Sequence, residues 1–236
     1  MNNDQDFETY LFISHTKLVI RVNDNLNQKI YEKETLFDQD EYEINFTKLD
    51  QFLNDYIFKI EKKLSNFVNK IFVVLDLDIF CPIEISIKNH SLKDLSDYKN
   101  FNHLLSEANE YCSNTIKEKK IIHMFIKNYW RDNQSHSLLS KHELKKVSSI
   151  DIKFICLSEE IIKKLEQALK KYHISVSRLV NANYVKNFLL KEEINDHDIF
   201  LMSNKILNGH NPNEVMISDK TAKNPGFFVK FFNFFS

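Results

Sequence analysis

Two carboxylates stand where a short apolar strand ends, since Val73-Val74-Leu75 runs into Asp76-Leu77-Asp78. On a strand, positions i and i+2 share a face, so this pair could hold Mg²⁺ for phosphoryl transfer. A second set of candidates is imidazole. His136 and His142 lie in one polar stretch, and Asp196-His197-Asp198 forms a tight cluster. None has the i, i+4 helical spacing or the cysteine partners that define zinc sites, and exposed loop histidines account for them. No metal is expected. The third set is Tyr129-Trp130-Arg131. These residue types are enriched at protein–protein hot spots, although a half-buried strand end explains such a large ring equally well.

The fourth set is the run Phe227-Phe228-Val229-Lys230-Phe231-Phe232-Asn233-Phe234-Phe235. As a helix it has one narrow polar stripe, Lys230 with Asn233, and is apolar elsewhere. At ~1.5 Å per residue it is about 14 Å long, too short to span a bilayer and suited to lying in its interface. Burying Phe227, Phe228, Phe231, Phe232, Phe234 and Phe235 is worth on the order of 10 kcal/mol at most. Lys230, with Lys220 and Lys223 upstream, adds a little electrostatic attraction to an anionic surface. Docking on the chain's own core, or in a partner's groove, remain open alternatives.

What is missing is as informative. The 236 residues include two glycines, Gly209 and Gly226. Phosphate-cradling loops need glycine, because the backbone must approach the phosphates closely and adopt positive φ. The sequence has no Walker A loop, no GxGxxG and no GxSxG elbow. Asp76-Leu77-Asp78 resembles the motif of haloacid-dehalogenase-type phosphotransferases, but Phe80 stands where that motif has Thr. No nucleotide, no other cofactor and no catalysis are expected.

Apolar residues make up 43% of the chain and charged residues 28%, which is globular composition. The net charge of −1 argues against a nucleic-acid partner, since phosphate binding needs a basic surface. Cys81, Cys112 and Cys156 are odd in number and widely spaced, so neither a disulfide framework nor a cysteine zinc site is expected. The polar, acidic start Met1–Asp6 does not read as a signal peptide, and no apolar run reaches the ~20 residues of a membrane span. A cytoplasmic location follows.

These residues need elements to position them. The alternating run Tyr10–Val22 predicts a strand, Asn23-Asp24-Asn25 a turn, and Gln28–Thr35 a returning strand. Thr47 is placed to cap a helix with Leu49, Phe52, Leu53, Tyr56, Ile57, Ile60 and Leu64 on one face. Strands are expected at Lys70–Leu75, at Ile83, Ile85 and Ile87, at Ile121–Trp130, at Ser149–Leu157 and at Ile174–Val180. Ser96 is placed to cap a helix carrying Phe101, Leu104, Leu105, Ala108 and Tyr111. Ser158 caps another, over Ile161, Ile162, Leu165, Ala168, Leu169 and Tyr172, and Asn183–Leu190 reads as a third. Asn133–Lys146 reads as a polar loop. Ile194–Leu207 offers a further short helix, and Asn208–Gly226 a flexible linker.

In this order the elements resemble the bacterial cell-division actin homologue FtsA. The resemblance is carried by Leu11–Leu18, by Leu49–Leu64 with Ile71–Leu75, by Ser96–Thr115 with Ile121–Arg131 and Ile152–Cys156, and by Glu160–Leu190. The polar linker and Phe-rich end resemble that family's membrane-targeting terminus. The resemblance implies a mixed α/β (α+β) fold, a partial actin-like (ribonuclease H-like) lobe. Residues 1–80 and 151–190 would form the partial lobe, and 81–150 an inserted strand-helix-strand-strand (SHS2-type) subdomain. Residues 191–226 would be a linker and 227–235 an amphipathic helix. Where the family's first phosphate loop carries an acid, a glycine and a Thr or Ser, this chain reads Phe12, Ser14 and His15, so the resemblance implies that ATP binding is lost. The chain is also shorter than a two-lobed actin fold.

The function implied is a non-enzymatic adaptor, peripheral on the inner face of the cell membrane. Its partners would be cell-division proteins and further copies of itself. Tyr129, Trp130 and Arg131 would be the protein-binding residues. Phe227, Phe228, Lys230, Phe231, Phe232, Phe234 and Phe235 would bind the membrane. The alternatives are a pilus-assembly-type, peptide-binding relative of the same superfamily, and a small Mg²⁺-dependent phosphotransferase using Asp76 and Asp78.

Overall fold

The computed structural model describes residues 6–37, 43–88, 98–144, 146–191 and 198–215. Along the chain they form β1 (Phe7–Ser14), β2 (Lys17–Asp24), β3 (Lys29–Leu36), α1 (Phe46–Leu64), β4 (Lys70–Asp76), β5 (Cys81–Lys88), α2 (Tyr98–Thr115) and β6 (Lys119–Arg131). Then follow β7 (Gln134–His136), α3 (Lys141–Leu144), β8 (Ser149–Ser158), α4 (Glu159–Lys170), β9 (Ser175–Asn181), α5 (Ala182–Lys191) and α6 (Ile199–Leu207). They divide into two units. The larger takes the described residues up to Phe80 and from Ser158 to His210, and the smaller takes Cys81–Leu157 and the residues from Asn211 onward.

The larger unit is built on a sheet of order β3-β2-β1-β4-β9. β1–β2 and β2–β3 pair antiparallel, whereas β1–β4 and β4–β9 pair parallel. Tyr10 and Phe12 meet Phe200 of α6 edge-on, and the intervening Leu11 and Ile13 are buried on the opposite face. Both faces of β1 are therefore covered, as the near-continuous apolar run requires. α1 packs with α4, and α5 with α6.

The sequence expectation of one strand over Tyr10–Val22 is corrected here. The run is two strands with a tight turn at His15-Thr16. The turn has no Gly, Pro or Asn to announce it. Ser14 supplies the missing turn chemistry, its Oγ accepting from Lys17 N at 3.1 Å and Thr16 N at 3.3 Å. The helix cap also moves. Asn45, not Thr47, caps α1, with its Oδ1 accepting from Lys48 N at 3.0 Å. Ser158 caps α4 as expected.

The smaller unit has a sheet of order β5-β8-β6-β7. α2 buries Phe101, Leu104, Leu105 and Ala108 against Met124 and Ile126 of β6 and Ile152 and Phe154 of β8. Tyr111, expected in that stripe, is 62% exposed, and Cys112, at 1%, takes its place. Asn133–Lys146 is not a bare loop, because β7 folds back on the end of β6 and α3 follows. The boundary expected at residue 150 falls at 157, because β8 pairs with β5 along all of Cys81–Lys88.

The proposed linker 191–226 is corrected in its described part. Residues 199–207 are helical, and Asn211, Glu214 and Val215 are buried. Asn213–Val215 continues the edge that β7 occupies further along β6. Ile126 N donates to Asn213 O at 2.9 Å, and Val215 N donates to Met124 O at 2.8 Å. Ser96 and the whole of Phe227–Phe235, with Lys230, lie outside the described residues.

Candidate functional site

In α/β sheets, ligands bind at the carboxyl ends of the parallel strands, where loops and helix starts converge. Here that edge joins the ends of β1, β4 and β9. Ser14 stands in register with Asp76, and Leu75 with Asn181. At the end of β1 the Ser14–Lys17 turn has the N–H groups of Thr16 and Lys17 turned onto Ser14 Oγ. Asn181 is committed as well, its Oδ1 accepting from Tyr184 N at 2.6 Å at the start of α5.

The two aspartates do not form a pair. β4 ends at Asp76, and Asp78 lies in the following turn, so the strand stops two residues short of the shared-face pair. Lys186 of α5 donates to Asp76 Oδ2 at 2.7 Å. Asp78 is 88% exposed, 3.8 Å from His15 Nε2. A lysine on one carboxylate and solvent around the other is charge compensation within the fold. Among the described residues, no group of three or more His, Cys, Asp or Glu side chains could hold a metal ion. Of the acidic histidine cluster, Asp198 is described. It caps α6 and pairs with Arg21, while Asp196 and His197 lie outside the described residues. His136 lies in β7, and His142 in α3.

The Tyr129-Trp130-Arg131 set separates by face. Tyr129 is a core residue, 4% exposed and stacked on Phe101, with its hydroxyl donating to Asn213 Oδ1 at 3.0 Å. Burial pushes its phenol above the ordinary value. This corrects its assignment as a contact residue. Trp130 is half-buried on the other face, its Nε1 donating to Asp151 Oδ2 at 2.8 Å. Asn128 and Ser86 donate to the same carboxylate at 3.0 and 2.6 Å. Burial alone would raise the Asp151 carboxyl, and these three donors outweigh it and hold it below the usual range.

Arg131 Nη1 donates to Glu143 Oε1 at 2.9 Å. The Ser140 hydroxyl and backbone N–H, then Arg131, hold the Glu143 carboxyl down at about 2. A depressed folded value stabilises above the unfolded one near 4.5, and that contribution is lost as pH falls toward about 2. The α3 clasp is thus expected to stay intact on acidification to pH 4. Carbon-detected NMR titration of the Glu143 carboxyl, with its inflection near 2, checks this.

Spacing hides one cluster. β5–β8 register sets Cys81 opposite Cys156, and Cys112 of α2 interacts with Cys156 from above. Burial first, then the neighbouring Cys112, pushes the Cys156 thiol up to about 12. Burial also raises Cys112. Thiolate is the reactive species, so both should resist labelling at pH 8 while the half-buried Cys81 reacts. Timed labelling with a chromogenic disulfide, native and then in denaturant, reads this out. Prompt reaction of all three cysteines in the native protein would contradict it.

No protein-family model matches the chain, and no curated protein matches its sequence. Solved structures do. A chain of a PilM–PilN type IV pilus biogenesis complex is similar at TM-score 0.52 and 10% identity, over 79% of this chain and 50% of that one. The cytoplasmic domain of EpsL, an inner membrane component of the type II secretion system of Vibrio cholerae, matches at TM-score 0.41 and 10% identity. That match covers 76% of this chain and 58% of the other. A Bacteroides thetaiotaomicron protein with actin-like ATPase fold and unknown function matches at TM-score 0.37 and 11% identity, over 80% and 58%. The chain spans half the length of the pilus-complex chain. The first likeness is the one close enough to carry a statement of fold. The mixed α/β arrangement expected from the sequence, with a smaller strand-helix-strand-strand unit inserted after β4, is the fold of this chain.

Proposed function

We propose that this chain is a non-enzymatic adaptor that binds a protein partner within a membrane-associated assembly. The observation that supports it most is the closed edge of the parallel strands. Ser14 occupies its own turn, and Lys186 occupies Asp76, where a nucleotide-using relative would leave donors and carboxylates free. Titration calorimetry with ATP and Mg²⁺ should give no binding heat, and micromolar affinity would overturn the reading.

The finer choice is between two partners. Likeness to a chain from a pilus biogenesis complex supports the first, a peptide-binding relative of such assembly proteins. The Phe227–Phe235 run supports an FtsA-like division adaptor that holds the membrane itself. Liposome flotation of the full chain and of a chain ending at Asn224 separates them. Flotation that depends on the Phe-rich run favours the second, and equal behaviour removes the membrane role from that run.

A further inference from the structure

Edge strands are guarded in proteins that stay monomeric, by charges, proline, bulges or brevity. The edges of this chain differ in that respect. β3 carries Lys29, Glu32, Lys33 and Glu34 and meets β2 with a register shift. β9 meets β4 with another. β6 has its edge covered by β7 and then by Asn213–Val215. β5 carries Pro82 near its start and Glu84 and Lys88 on its exposed face, with Glu84 also engaged by Lys127 at 2.8 Å and Lys153 at 3.5 Å, but it is neither bulged nor short. It is eight residues long, pairs with β8 over its whole length with no register shift, and has no strand on its other side among the described residues. Its sequence alternates strictly through Ile83-Glu84-Ile85-Ser86-Ile87-Lys88. The isoleucines are half-buried against the core of the smaller unit, and Glu84, Ser86 and Lys88 are exposed on the other face.

Pro82 fixes which main-chain groups point outward. It has no N–H, and in an edge strand proline sits where its nitrogen faces away from the neighbouring strand. Pro82 shares its direction with Glu84, Ser86 and Lys88, so these three present their N–H and C=O groups to the open side.

We infer that β5 is the seam of a twofold dimer, in which two copies pair antiparallel through this edge. Only registers that keep the isoleucines of both copies on one face are allowed. With Ile85 on the axis, Pro82 falls opposite Lys88 and its missing donor breaks the ladder. With Glu84 on the axis, two like charges oppose each other. With Ser86 on the axis, Ser86 meets its own copy and Glu84 meets Lys88 of the other copy, twice. Each of these three pairs exchanges two main-chain hydrogen bonds, and Ile85 lies beside Ile87 across the seam. Pro82 then lies outside the ladder. The edge is thus complementary to itself in hydrogen bonding, apolar face and charge, which an isologous contact demands. This holds whether or not the adaptor reading is right.

Sedimentation velocity of the full chain over a concentration series tests it. A monomer–dimer equilibrium in the micromolar range is expected. Lys88→Glu reverses both cross-strand pairs and should weaken the dimer by about tenfold or more. Glu84→Lys should do the same alone. Mixing the two variants should restore association, because each charge then faces its opposite in the mixed dimer. Lys88 is exposed, so K88E is expected to melt with the wild type, and a thermal scan verifies this. A wild type that stays monomeric overturns the inference, whether residues 89–97 or anything else covers the edge. So does a dimer indifferent to K88E, as one held by the Phe-rich run would be, or a mixture that fails to associate.

Discussion

Glu214→Ala is expected to destabilise the smaller unit by about 3–5 kcal/mol. Its carboxylate lies 2.8 Å from His123 Nδ1, and both side chains are essentially inaccessible, at 1% and 0%. Truncation takes away the buried imidazole's carboxylate and leaves a hole against β6. The neighbouring contacts fail with it, because Asn213 O and Val215 N complete the hydrogen bonding of Ile126 and Met124. Trp130 is the one tryptophan of the chain and lies in β6, so its fluorescence reports this unit alone. A chain ending at His210 should have lost the transition by that signal. Identical midpoints for E214A and wild type would show that the segment is decorative.

Arg21→Ala should cost the larger unit about 3 kcal/mol. Arg21 is 7% exposed. It pairs with Asp198 at the cap of α6, lies 3.6 Å from Glu32, donates through Nε to Asn23 Oδ1 at 2.9 Å, and stacks 5.1 Å over the Phe200 ring. One side chain thus fastens α6 to the sheet by charge and by packing. Arg21→Lys keeps the charge but loses the planar fork, so it should recover only part of the loss. Urea denaturation gives the free energies, and hydrogen exchange should show faster opening of Ile199–Leu207 before the sheet. Uniform exchange in both variants would place the effect elsewhere.

The sequence made some elements legible for definite reasons. β4 is a short apolar run, and Ser158 with Glu159 and Glu160 announces α4 by cap and dipole. Alternation alone misses the β1–β2 turn, because it runs straight through His15-Thr16 and the side chain of Ser14 performs the turn; only the family resemblance set a hairpin at Leu11–Leu18. Asn211–Val215 reads as a linker because its stabilising partners, His123, Met124 and Tyr129, are remote in sequence. The cysteine cluster is hidden for the same reason, since only strand pairing sets Cys81 against Cys156. At the candidate site, the place of Asp76 at the end of β4 was legible from the apolar run before it. The Lys186 that engages Asp76 was not, because α5 follows the whole inserted unit.

That insertion has a consequence for synthesis. β4 leaves the ribosome with β1 to pair with on one side, but its other neighbour, β9, begins only at Ser175, roughly a hundred residues later. At roughly 5–20 residues per second the nascent chain waits about 5–20 s with one flank of Ile71–Leu75 bare. By the end of that interval the smaller unit has gained all four of its strands but still lacks the Asn213–Val215 segment. Two half-finished sheets therefore coexist on one emerging polypeptide. Holdase chaperones that recognise bare apolar strands would meet this chain there, between translation of Asp76 and of Asn181.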